Sequence, residues 1–401
     1  MTKTERLINL VREGLTVRDA ARAAELSYAS ARGIISRAKN KQSKAPLTPE
    51  RERYLAVSRR LERAAKSAEQ ATLTQAEVRE SIFKLAGEPA APPEWISQSH
   101  SIAGAGITGV PMTIWSDWHL GETVDMAETN GSNAYNLAIA GARLQKLVDK
   151  TVSLCKEHMV NTEYPGIIVM LGGDMVTGEI HDELTRTNDA DPLPTVLWAR
   201  DNIVAGLKRL ADVFGRVFVP CVAGNHGRMS KRIEHKHFAV RNYDWLISTL
   251  CEKYFHDVGD TRVKFFIPES NEAAFRVYDH KYLLLHGHDL GTSGGDGIIG
   301  ALGPIMRGRM KVGNQQRSFG LDFDTLVVGH WHQYITIRGL IVNGTMKGFD
   351  GFARSGIRAP YEPATQALWF NHPKYGITAR WPIFLQSAGP ASEKSWVAWA
   401  E

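Results

Sequence analysis

Cysteine is scarce in this 401-residue chain, which has only 3. Cys155, Cys221 and Cys251 are odd in number, widely spaced and without metal-finger spacing, which argues against a disulfide framework and against a thiolate metal site. They read as buried, reduced thiols. No run approaches the roughly 20 apolar residues that a membrane-spanning helix needs. The opening MTKTERLINLVREG has no apolar core followed by a small-residue cleavage site. The expectation is a cytoplasmic protein with no membrane partner. No internal repeat is evident.

What is present is enough apolar sequence, 43% of the residues, to bury the cores of two or three soluble domains. The net charge of +5 is unevenly placed: residues 1–66 hold 16 lysines and arginines against 7 acidic residues, and the remainder holds 32 against 36. A basic front end fits an anionic partner, nucleic acid first, although solvated helix faces give a milder form of the same signal.

Apolar residues from Thr4 to Lys41 recur at helical spacing (Leu7, Ile8, Leu10, Val11; Val17, Ala20, Ala21, Ala24; Ala31, Ile34, Ile35), which predicts three short helices. Breaks fall at Gly14 and at Glu25-Leu26-Ser27, with Thr16 and Ser27 as N-caps. The segment TVRDAARAAELSYASARGIISRAKN resembles the helix-turn-helix of resolvases and small regulatory domains. That resemblance makes Ser27 to Arg37 the recognition helix and Tyr28, Ser30, Arg32 and Arg37 the DNA-binding residues. The alternative is a three-helix oligomerisation module with a charged face.

Residues 48–86 predict one or two amphipathic helices with a thin apolar stripe at Leu55, Leu61, Ile82 and Leu85. They suit either a stalk pairing two copies into a homodimer through the N-terminal helices or a plain connector. GEPAAPPEW marks a linker, because its prolines forbid helix. The expected organisation is a helix-turn-helix-like domain over 1–45, a connector and linker over 46–96, and a larger domain over 97–401.

From Val110 the pattern changes to short apolar runs ending in polar clusters: PMTIWSDWH, GIIVMLGGD, VFVPCVAGNH, YLLLHGHD and TLVVGHWH. Each reads as a buried strand, and the helical stretches between them (Asn136 to His158, Leu193 to Val213, Asn242 to Phe255) predict an α/β layered fold. Sites in such folds gather at the carboxyl ends of strands. Those ends carry Asp117 and His119, Asp174, Asn225 and His226, His286, and His330 and His332; with His288, they hold six of the 14 histidines. Carboxylate, amide and imidazole donors without thiolate suit divalent ions such as manganese, with iron, zinc, magnesium and nickel also compatible.

The ordered set D-x-H, G-D, G-N-H, H-G-H, G-H-x-H closely resembles the calcineurin-like metallophosphoesterase family. The resemblance spans the chain from about Val110 to Leu385 and is closest in character to the family's DNA-repair nucleases. It implies a four-layer α/β/β/α sandwich and a centre of two divalent metal ions, which with the helices read at the front gives an α/β fold behind a small all-α N-terminal domain. By the same resemblance Asp117, His119 and His332 hold one ion, Asn225, His286 and His330 hold the other, and Asp174 bridges them. The implied reaction is in-line attack of a bridging hydroxide on phosphorus, with His226 protonating the leaving alkoxide. One departure stands out. Gly227 and Arg228 follow GNH where many members carry an acidic residue that orients the histidine, so what orients His226 is open.

Two basic clusters adjoin these motifs and are expected to lie in loops: Arg228, Lys231, Arg232 and Lys236, then Arg307, Arg309, Lys311 and Arg317. A polyanion crossing the cleft would use both, so Arg228, His288, Arg307 and Arg309 are the candidate substrate contacts and DNA the expected substrate. The alternatives are a phosphomonoesterase or protein phosphatase using the same ions, and a DNA-binding regulator whose phosphoesterase domain is no longer catalytic.

Overall fold

The structure is a computed structural model describing residues 2–42, 93–97, 109–159, 162–291 and 301–386. The chain divides into two compact units, Met1–Gly87 and Glu88–Glu401.

In the first unit, helix α1 (Lys3–Arg12) opens on a reciprocal cap: Thr2 Oγ1 accepts from Glu5 N at 3.3 Å, and the Glu5 carboxylate accepts from Thr2 N at 2.8 Å. Thr16 caps α2 (Val17–Ala23), accepting from Asp19 N at 3.3 Å. Residues 24–27 turn the chain, with Glu25 in left-handed backbone, and Ser27 Oγ accepts from Ser30 N at 3.2 Å where α3 (Tyr28–Gln42) begins. Leu7, Ala20, Ala21, Ala24, Ala31 and Ile35 form the buried cluster; its alanines let the helices approach closely. The connector predicted over 48–86, with its dimerising stripe, lies outside the described residues.

The second unit is mixed α/β, built on two mixed sheets. The first has β1 (Val110–Trp115), β2 (Ile167–Leu171), β3 (Val217–Pro220) and β4 (Val263–Phe266) in parallel, with β10 (Thr365–His372) antiparallel to β1 and β11 (Gly376–Phe384) at the edge. The second runs β5 (Ala273–Val277), β6 (His280–Leu284), β7 (Thr325–Val328), β9 (Leu340–Val342), β8 (Ile335–Ile337), with β6, β7 and β9 parallel. Parallel neighbours need crossovers. These are α4 (Leu137–Ser153), α5 (Pro192–Phe214) and α6 (Tyr243–Asp257) in the first sheet, and α7 (Leu302–Ser318) between β6 and β7. Asn136 and Asn242 cap α4 and α6, as their helix-breaking propensity suggests.

Side-chain alternation along each strand divides the core. Ile167, Val169 and Leu171 join the helices α4 to α6 in one cluster, while Ile168 and Met170 face Phe275, Tyr282 and Leu284 of the second sheet. On that sheet Leu283, Leu326 and Val328 point the other way, toward Ile305 of α7. A short helix, Glu94–Ser97, places Trp95 and Ile96 in the cluster between the sheets, and Tyr278 N donates to Ile96 O at 2.6 Å. The last residues of the Pro-rich stretch read as linker therefore serve this core. Among the described residues no helix is long and apolar enough to cross a membrane. All three cysteines are buried free thiols, and burial pushes Cys155 up to about 12.

Candidate metal centre

Beyond the ends of β1, β2, β3, β6 and β7 the backbone turns sharply. Asp117, His119, Asp174, His330 and His332 all have left-handed φ, between 48° and 68°. Non-glycine residues avoid this region at a cost of about 1–3 kcal/mol each, and five of the eleven that adopt it among the described residues are proposed ligands. Close packing leaves no room beside the carboxylates: a Cβ on Gly224 would overlap Asp174, and one on Gly329 would overlap Asp117.

The five loops bring the donors together. His119 Nε2 lies 3.0 Å from His332 Nε2, which lies 3.5 Å from Asp117 Oδ1. On the other side, His286 Nε2 is 3.0 Å from Asp174 Oδ2 and 3.2 Å from Asn225 Oδ1. Two ligand atoms on one ion, each about 2.1 Å away at 90–110°, stand roughly 3.0–3.4 Å apart, close to the 3.0–3.5 Å seen here. Asp117, His119 and His332 form one group of donors, and Asp174, His286 and His330 another; each can hold a metal ion. Asp117, His119, Asp174 and His286 are buried, whereas Asn225, His226, His330 and His332 are partly exposed, giving a buried floor and a rim open to solvent.

Electrostatics suit this use. Burial holds His119 and His330 well below the usual imidazole range and takes His332 to about 3, leaving neutral rings with free lone pairs. Burial raises Asp117 to about 7. Asp174 is held well below its usual value: burial opposes ionisation, but His286 and His226 outweigh it. His286 is the exception among the rings. Burial works against its charge, yet Asp174 pulls it up to about 10, so a proton occupies the place a cation would take. Loading this group with manganese at neutral pH should therefore expel that proton. Its affinity should rise with pH, about tenfold per unit for one displaced proton, as long as the solution stays below the apo His286 value. Calorimetry in buffers of different ionisation heat measures the release; binding without proton uptake by the buffer would contradict it.

His226 Nδ1 lies 3.0 Å from the Thr177 carbonyl, which can accept its proton and leave Nε2 for the site. A backbone carbonyl thus does the orienting that the sequence left open. The His226 backbone N also donates to Asp174 Oδ1 at 2.6 Å. His181, exposed, has its ring 6.0 Å from that of His226.

The supporting groups escaped the sequence reading. Buried Lys347 bonds Glu122 at 2.9 Å and Asp350 at 2.5 Å, and Glu122 Oε2 lies 3.6 Å from His119 Nδ1. Buried Asp244 accepts backbone N–H groups from two of the ligand loops. Glu122 and Lys347 follow no strand-end pattern, and Asp244 looks like first-turn decoration of a capped helix.

The candidate substrate and DNA contacts are placed unequally. Arg228 spends its guanidinium on its own loop, donating to the carbonyls of Asn225 (2.6 Å), Ser230 (2.9 Å) and Lys231 (3.0 Å). His288 stacks on Phe238 at 4.9 Å and stands 5.6 Å from the His286 ring, so it borders the centre. The second basic cluster is not a loop. Arg307, Arg309, Lys311 and Arg317 lie on α7, whose Ile305 and Gly308 are buried, and Arg309 bonds the Gly339 carbonyl at 2.9 Å. Tyr28, Ser30, Arg32 and Arg37 are all exposed on α3, with the Arg18 guanidinium 5.3 Å above the Tyr28 ring. No protein-family model matches the chain, and no curated protein matches it.

Proposed function

We propose that the chain is a two-metal phosphodiester hydrolase of the calcineurin-like type, a nuclease that its N-terminal helices recruit to DNA. The observation that carries this reading is the convergence of seven carboxylate, amide and imidazole donors from five strand ends, five of them in left-handed backbone. The succession of α4–α6, first sheet, second sheet and α7 agrees with the four-layer sandwich of that family. No donor of the set is missing, which speaks against a non-catalytic regulator.

Two divalent ions, manganese by preference, would supply Lewis-acid stabilisation of phosphoryl charge and acidify a water molecule. Asp117, His119 and His332 would hold one, Asn225, His286 and His330 the other, and Asp174 both. The chain's own part is to fix these donors and to keep His226 aimed by the Thr177 carbonyl, ready to pass a proton to the departing oxygen. The deciding experiment is hydrolysis with manganese of single-stranded, duplex and branched DNA, set beside phosphopeptides and nitrophenyl esters. Efficient phosphopeptide turnover with all DNA left intact would replace the nuclease reading by a phosphatase.

The DNA-reading role of α3 has its own test in the full chain. Replacing Tyr28, Arg32 and Arg37 together by alanine should weaken duplex binding and flatten its salt dependence by about 2 in log–log slope, roughly 0.9 for each lost phosphate contact. Hydrolysis of a small nitrophenyl phosphodiester should not change. Unaltered affinity and slope in anisotropy titrations would make the three helices an assembly element instead.

A further inference from the structure

Asp244 is only 1% exposed and is not needed as a helix cap, because Asn242 already caps α6, its Oδ1 accepting from Asp244 N at 2.9 Å. A buried carboxylate is costly unless several donors converge on it. Three do. Asp244 Oδ2 accepts from Asp174 N at 2.8 Å and from Gly224 N at 2.9 Å, and Oδ1 accepts from Met175 N at 3.0 Å. One side chain therefore grips the loop that carries Asp174 and, at the same atom, the loop that carries Asn225 and His226. Asn242 reinforces the second grip, its Nδ2 donating to Gly224 O at 2.7 Å.

We propose that Asp244 is the positioning residue that holds the shared ligand Asp174 in register with Asn225, by fixing the Asp174 loop against the Asn225–His226 loop. An amide or hydroxyl in its place cannot accept three N–H groups from two directions. The arrangement also accounts for Gly227. A Cβ there would overlap Asn242 Oδ1 and lie 3.1 Å from the Asp244 carboxylate, so the clamp excludes any side chain directly after His226. The inference rests on the two-metal reading and assigns Asp244 no contact with substrate.

The test is Asp244→Asn in the full chain, titrated with manganese beside the wild type, with the ions followed by electron paramagnetic resonance and the ion-free fold by circular dichroism. The expected result is a folded variant whose second ion binds about 10–100-fold more weakly and whose spin-coupled pair signal gives way to that of isolated ions. Wild-type affinity together with the coupled signal overturns the proposal, whatever happens to thermal stability. Should Asp244→Asn not fold, Asp244→Glu keeps the charge but displaces it by one methylene. An unchanged coupled signal in that variant, or failure of both variants to fold, leaves Asp244 a purely structural role and also overturns it. If the wild type itself takes up no pair of ions, the two-metal reading falls instead.

Discussion

Asp174→Asn is expected to reduce the bound manganese from two ions to one or none and to lower turnover by about 10³-fold or more, beyond the roughly 10–100-fold typical of groups that only support a ligand. The reason is its position. Asp174 Oδ2 faces His286 Nε2 at 3.0 Å, and Asp174 also forms a candidate ligand group with His119, their ligand atoms within 4.8 Å, so this one side chain borders both donor groups. An amide would remove the charge that two cations would share and would turn an NH₂ toward one of them. Left-handed backbone is tolerated by asparagine, so the loop at φ 53° should keep its shape and the variant should fold. Metal analysis under saturating manganese, alongside steady-state rates, gives the answer. Two retained ions with full activity would remove the two-metal reading altogether.

The second large effect is expected at His226, and it should depend on the substrate. His226→Ala should keep its ions, since the donors at 117, 119, 174, 225, 286, 330 and 332 are untouched. On an ester with an alkoxide leaving group it should lose about 10²–10⁴ in turnover, the range for a single proton-transfer catalyst. On a nitrophenyl ester the loss should be small, because that leaving group departs without a proton. Equal losses on the two substrates would instead mean that His226 positions the phosphate. Thr177 supplies an internal check: its side chain can be changed without removing the carbonyl that lies 3.0 Å from Nδ1, and such variants should leave the leaving-group dependence intact.

Much of the donor cluster was legible in the sequence because its polar residues sit where the apolar pattern stops. β1, β2, β3 and β7 are buried along their whole length and β6 over its last three residues, and each is followed within a few residues by Asp, Asn or His. The helix cap at Thr16 was equally readable, since a side-chain oxygen before an amphipathic run is a local signal. What could not be read was anything created by folding alone. The carbonyl that orients His226 belongs to Thr177, 49 residues upstream, and any residue could have offered it. Lys347 is 225 residues from Glu122, and neither has a patterned neighbourhood. The charges from Arg307 to Arg317 hide a helix whose buried face is small: Pro304, Ile305, Gly308 and Gln316. Arg228 looked like a free cation after a turn, yet three carbonyls of that turn already hold it.

The donors come from both sheets: Asp117, His119, Asp174 and Asn225 follow strands of the first, and His286, His330 and His332 follow strands of the second. The first-sheet and second-sheet halves of the donor cluster are therefore joined through the apolar layer where Met112, Ile114 and Met170 meet Phe275, Tyr282 and Val327, while Asp244 acts locally between two loops of the first sheet. A single residue step along a strand is about 3.3 Å, whereas a working site tolerates about 0.5 Å, so that layer acts as a ruler with a much finer mark than the strands themselves provide. Volume changes at Phe275 or Tyr282, neither of which is a proposed donor, would thus shift one half of the donor cluster against the other without replacing any ligand.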